Sequence, residues 1–131
     1  MLKVLIIDDD DIVLFIQRKM LQKSGITDSP KLYSVGQEAL DFLTQEEPGD
    51  HYLILLDINM PGISGWEFLE TLKTLPILPY VHVLMVTSSI DSFDKEKAKA
   101  YDNVFDFIEK PITIENCYKV KNHPELKQFF Q

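Results

Sequence analysis

Five polar residues of this chain each stand just past a short apolar run: Asp8 and Asp9 after LKVLII, Asp57 after YLILL, Thr87 after VHVLMV, and Lys110 after the run that opens at Val104. A lone Asp in such a place is a turn or helix-capping residue. The recurrence of the same placement is what carries weight. Three carboxylates gathered at about 5 Å, at an effective dielectric of about 20, repel one another by roughly 3 kcal/mol per pair. Such a cluster either protonates or takes up a cation. Hard oxygen ligands with room for water suit Mg²⁺. Three negative charges against two on the metal and one on Lys110 leave the site near neutral and receptive to a phosphoryl group. Mg²⁺, the Lys110 ammonium and the Thr87 hydroxyl could each take one of its oxygens. Charge neutralisation and positioning are most of what phosphoryl transfer asks of a protein, and an Asp can be the nucleophile, giving an acyl phosphate.

For these residues to meet, the apolar runs must lie side by side and point the same way. Leu2–Ile7 reads as a strand buried on both faces and Tyr52–Leu56 as another buried strand, with a weaker strand at Leu32–Val35 and further strands at Val81–Val86 and Val104–Ile108. Helices are expected between them. The first is capped by Asp11, carries Ile12, Val13, Phe15, Ile16 and Met20 along its apolar side, and ends at Gly25. The others run over Gln37–Gln45, Ser64–Leu75 (with Trp66, Leu69 and Leu72 at helical spacing), Asp91–Tyr101 and Thr113–Val120. His123-Pro124 ends the last, and PELKQFFQ forms one more turn or helix. Strand and helix alternate five times, which implies an α/β, doubly wound parallel sheet with right-handed crossovers and helices on both faces. Ligands of such sheets bind beyond the carboxyl ends of the strands, where all five polar residues fall.

Composition narrows the function. One domain accounts for 131 residues. Thirteen Lys and Arg against 21 Asp and Glu leave a formal charge of −8, which repels a phosphate backbone and argues against nucleic-acid binding. No apolar run approaches the roughly 20 residues of a membrane span, no leader is expected, and the single Cys117 fits a reducing cytoplasm. Cys117 reads as a small buried apolar residue. His51, His82 and His123 are scattered without metal-ligand spacing and read as structural, as do Trp66, Phe68 and the terminal Phe129-Phe130. The Lys95–Lys99 cluster reads as a solvated face that a partner could touch.

Four short pieces, IIDDD at Ile6–Asp10, LLDINMPGISG at Leu55–Gly65, VTSS at Val86–Ser89 and FIEKP at Phe107–Pro111, occur in the order and spacing of a known family. Over residues 1–121 the chain resembles the CheY-like response-regulator receiver domains, and residues 122–131 form a C-terminal extension packed on or trailing the domain. The resemblance implies the flavodoxin-like strand order 2-1-3-4-5 and a stand-alone switch in a two-component His-to-Asp phosphorelay. It implies Asp57 as the phosphorylated residue and Mg²⁺ bound by Asp9, Asp57 and the main-chain carbonyl of Asn59, with Asp8 holding the metal's waters. Lys110 would contact the phosphoryl group and Asp57. Thr87 and the aromatic Phe107 would move together and remodel a protein-binding face made by the fourth helix, fifth strand and fifth helix. Asn59, Ser88 and Ser89 occupy positions that tune the lifetime of the acyl phosphate, and the Lys110–Pro111 bond is expected to be cis. The implied partners are a sensor histidine kinase or histidine phosphotransfer protein and a downstream protein target, with the chain monomeric or weakly dimeric. Its only catalysis would be its own phosphorylation and dephosphorylation.

Other readings fit less well. A Mg²⁺-dependent aspartyl-phosphate hydrolase needs a second acid two residues past its nucleophile, where this chain has Asn59. Flavin binding needs a Ser/Thr/Gly-rich phosphate loop after the first strand, where this chain has Asp8–Asp11. A receiver-like module that works unphosphorylated typically lacks an acid or the Lys, and this chain keeps them all.

Overall fold

The structure, a computed structural model, describes residues 1–88 and 91–131. Ser89, one of the three expected tuning residues, lies outside the described residues. In chain order the elements are β1 (Leu2–Ile7), α1 (Asp11–Ser24), β2 (Lys31–Tyr33), α2 (Gly36–Thr44), β3 (His51–Leu56), α3 (Gly65–Leu72), β4 (Val81–Thr87), α4 (Ser92–Ala98), β5 (Val104–Glu109) and α5 (Ile114–Lys121). Short 3-10 turns add Leu78–Tyr80 before β4 and Lys127–Phe130 at the end. The strands form one parallel sheet in the order β2-β1-β3-β4-β5, as the sequence reading expects.

The period-two geometry of a strand explains why the central runs are apolar throughout. Leu5, Ile7, Ile54, Leu56, Val83 and Met85 point into one core, against α2 and α3. Val4, Ile6, Leu53, Leu55, Leu84 and Val86 point into the other, against α1 and α5. Both faces of β1, β3 and β4 are therefore dry, while β2, on the edge, is three residues long and largely exposed. At roughly 1.5–3 kcal/mol for each fully buried aliphatic side chain, these two layers are the main source of stability.

Two expectations for α1 are corrected. Asp10, not Asp11, is the N-cap: its backbone is extended, and its carboxylate accepts from the amides of Ile12 at 2.9 Å and Val13 at 3.4 Å. The buried stripe is Leu14, Gln17, Leu21 and Ser24, whereas Ile12 and Phe15 face solvent, 70% and 52% exposed. Gly25, in the left-handed region at φ 80°, ends the helix as expected.

The histidines are less scattered than their numbers suggest. The β3–β4 register sets Leu53 opposite His82, and His51 lies two residues before Leu53. His51 Nδ1 is 3.0 Å from His82 Nε2, and the two rings are nearly parallel, at 17°. His82 Nδ1 lies 3.4 Å from a carboxylate oxygen of Glu125. The three residues form a line across the amino end of the sheet that ties the segment after α5 to β4. Burial holds the His82 ring below the usual imidazole range, against the opposing pull of Glu125. In the same segment Leu126 is fully buried, and Phe129 and Phe130 pack partly against the α1–α5 core.

Candidate functional site

The register of the sheet assembles the site. Ile7 stands opposite Leu56, so Asp8 and Asp57 leave adjacent strands at the same level. The Asp57 amide donates to the Ile7 carbonyl at 3.1 Å. On the other side Thr87 ends β4, and its carbonyl accepts from the Lys110 amide at 2.7 Å. The Lys110–Pro111 bond is cis. From there the Lys110 ammonium reaches across β4 and donates to Asp8 Oδ2 at 3.0 Å and Asp57 Oδ2 at 3.2 Å.

Asp8 and Asp57 are almost wholly buried, 1% and 3% exposed, while Asp9 faces solvent. Carboxylate oxygens of Asp8, Asp9 and Asp57 all lie within 4.8 Å of one another. An all-oxygen set of this kind, one side dry and one side wet, fits a hard divalent cation that keeps several waters. Burial raises the Asp8 carboxyl above the usual range, against the Asp10 amide and Lys110, which favour its charged form. Burial and the neighbouring Asp8 charge raise Asp57 likewise, against Lys110 and the Asn59 amide. Burial alone would lower Lys110, but the two carboxylates outweigh it and hold the ammonium above its usual range. The pocket is thus an acid pair short of positive charge, with one fixed cation.

The turn from Asp57 into α3 doubles back tightly. The Gly65 amide donates to the Ile58 carbonyl at 2.8 Å. A Cβ on Gly65 would lie 2.6 Å from the Asp57 carbonyl oxygen and 2.9 Å from Ile58 Cα. Gly62 occupies the left-handed region at φ 84°. Ser64 and Glu67 close a capping box that fixes the start of α3. Because the atoms a Gly65 side chain would meet are backbone, Gly65→Ala must shift the Asp57 turn itself. It is expected to cost about 1–3 kcal/mol and to weaken Mg²⁺ binding, read by thermal melts and a magnesium titration. Wild-type values in both would show that the close approach is not needed.

Of the other expected residues, Asn59 and Ser88 fall at the same edge. Asn59 is exposed on the turn after Asp57, and Ser88 is exposed just after Thr87, whose side chain is buried. Phe107, opposite Met85 on β5, is half-buried against the α2–α3 core. It also lines a groove of about 240 Å³ with Lys95, Ala98 and Lys99 of the α4 region. The larger cavity, about 450 Å³, lies at the opposite pole beside His82 and Glu125 and touches none of these residues. Sequence reading missed Gly65 and also Gln17, whose only signal was an amide on an otherwise apolar helix stripe.

Comparison with known proteins bears on the family and the fold. The model of the response regulator receiver domain matches residues 4–121. The chain belongs to that family, the receiver domains of two-component systems. It is 33% identical over 127 residues to a response regulatory protein of Shewanella oneidensis, an alignment covering 91% of this chain and 47% of that protein. It is 31% identical over 111 residues to the polar-differentiation response regulator DivK of Brucella ovis, covering 85% of each. The crystal structure of a response regulator receiver protein from Dyadobacter fermentans superposes with a TM-score of 0.83 at 31% identity, over 99% of this chain and 98% of that one. The chain thus spans about half the length of the Shewanella relative. Among the described residues no helix is long and apolar enough to cross a membrane.

Proposed function

We propose that this chain is a phosphorylation switch whose acceptor is Asp57, charged by a phosphohistidine of a sensor kinase or of a histidine phosphotransfer protein. The observation that carries the reading is the Lys110 ammonium held at 3.0 Å from Asp8 and 3.2 Å from Asp57, with carboxylate oxygens of Asp8, Asp9 and Asp57 all within 4.8 Å of one another. Asp9 and Asp57, with the main-chain carbonyl of Asn59, would hold Mg²⁺, and Asp8 would hold its waters. When bound, the metal supplies the positive charge that lets a dianionic phosphoryl group approach a carboxylate.

The rest falls to the chain's own residues. A carboxylate oxygen of Asp57 forms the new bond to phosphorus as the phosphorus–nitrogen bond of the donor breaks. The electron pair of that bond leaves with the imidazole, which takes up a proton. Lys110 neutralises charge on the transferred group, and the Thr87 hydroxyl donates to one of its oxygens. Asn59 and Ser88 stand where they set the access of water to the acyl phosphate. Ile12 and Phe15, exposed beside the pocket, offer the donor protein an apolar contact. Phe107 and the α4–β5 groove beside it, with exposed Phe93 and Tyr118, supply the surface that changes for a downstream protein target.

Incubation with acetyl phosphate and Mg²⁺ tests this by intact mass. The wild-type chain is expected to gain a single phosphoryl group. Neither the wild type in a chelator nor Asp57→Asn should gain one. An adduct on Asp57→Asn at the wild-type rate would sink the assignment.

A further inference from the structure

Gln17 stands where the helix pattern calls for an apolar side chain. It sits between Leu14 and Leu21 on the buried stripe of α1 and is 1% exposed, as enclosed as the leucines around it. An amide costs more to bury than a leucine unless it is hydrogen-bonded. Its partner explains it. Gln17 Oε1 accepts from the backbone N–H of Ile112 at 3.3 Å, a buried bond spanning 95 positions of sequence.

Ile112 lies two residues past Lys110, in the connection between β5 and α5. The hydrogen bonds of that connection are few. The Lys110 amide goes to the Thr87 carbonyl at 2.7 Å, Pro111 has no N–H, and the Thr113 amide turns inward to Asn116 Oδ1 at 3.1 Å. Among the described residues, only the first of these and the Ile112 bond to Gln17 tie the backbone amides of the connection to other elements. Lys110 is therefore anchored on one side to β4 and on the other to α1, the helix that begins at the Asp8–Asp10 turn. Its four-carbon stem is flexible, so where its ammonium rests depends on where this backbone is held.

The geometry points to Gln17 as a positioning residue for Lys110: the Gln17–Ile112 bond fixes the backbone from which the ammonium reaches Asp8 and Asp57. The inference rests on the phosphoacceptor reading for its consequence in function, though not for the coupling itself. Gln17 touches none of the reacting groups and acts only through Lys110.

The test is a double-mutant cycle. Gln17→Met keeps the volume and removes the acceptor; Gln17→Glu keeps a carbonyl-type acceptor. At saturating Mg²⁺, Gln17→Met is expected to weaken beryllofluoride binding about fivefold to tenfold, the worth of one neutral hydrogen bond. Gln17→Glu should recover most of that loss, and Mg²⁺ affinity should hold. In a Lys110→Ala background Gln17→Met should cost nothing further. An equal loss in both backgrounds, or none in either, overturns the proposal, because a purely structural glutamine does not depend on Lys110. The same cycle read by thermal melts in EDTA needs no phosphoryl analogue. There the two substitutions should be non-additive, and additive losses overturn the coupling. Failure of the wild type to bind beryllofluoride would instead refute the phosphoacceptor reading, leaving the melts to decide the positioning.

Discussion

Lys110→Ala is expected to lose about 3 kcal/mol of stability in EDTA at neutral pH, the usual cost of leaving a buried charge without its partner. For a chain of this size that is a fall in melting temperature of roughly 10 °C or more. The reason is local. Asp8 and Asp57 lie on adjacent strands at the same level, almost wholly buried, and Lys110 is the cation that bonds to both. Protonation of one acid softens the loss, since burial already raises both carboxyls, but it cannot replace two charge-assisted hydrogen bonds. Added Mg²⁺ should recover much of the stability, and its stabilising effect should exceed that on the wild type, because the ammonium no longer competes for the same oxygens. Uptake of a phosphoryl group should nevertheless stay slowed by about a hundredfold, the usual effect of removing one preorganised donor from a developing anion. Thermal melts in EDTA and in Mg²⁺, with phosphorylation followed by mass, separate the two effects. A variant as stable as the wild type in EDTA would show that the pair contributes nothing to the metal-free fold.

What could be read from the sequence, and what could not, follows from how local each determinant is. Strand ends are local: a short apolar run followed by Asp, Thr or Lys is visible in a few residues, and four such ends at family spacing brought Asp8, Asp9, Asp57, Thr87 and Lys110 to one sheet edge. The choice between Asp10 and Asp11 as cap is also local but not in the letters, since both are good caps. The extended backbone at Asp10 decides it. The pattern of α1 does not single out its buried face, because the helix carries apolar residues on two sides, and packing on the sheet selects Leu14 and Leu21 over Ile12 and Phe15. The His51–His82–Glu125 line and the Gln17–Ile112 bond join residues 31 to 95 positions apart. They follow from register and from the docking of α1 beside α5, neither of which a single helix or strand pattern contains.

Asp57→Asn should act in the opposite direction from Lys110→Ala and stabilise the metal-free protein. Burial and the Asp8 charge hold the Asp57 carboxyl above its ordinary 3.8. Between that value and the raised one the native chain binds more protons than the unfolded chain, so stability falls as pH rises through the window. Asparagine keeps the shape and removes the charge, while Lys110 retains its 3.0 Å bond to Asp8. Relief of about 1 kcal/mol corresponds to a rise of roughly 3–6 °C in EDTA at pH 7. The gain should shrink as the pH is lowered toward 4, where the wild-type carboxyl protonates and the penalty disappears by itself. The rise in melting temperature that Mg²⁺ gives the wild type should be largely lost, since one of the three clustered carboxylates is gone. A melt of both chains across pH 4–7, with and without Mg²⁺, decides it. Should Asp57→Asn prove less stable than the wild type in EDTA at pH 7, the pocket would be a stabilising ion triad, not a strained anion site that a cation relieves. The same repulsion that weakens the empty fold would then no longer argue for a metal ion at the site.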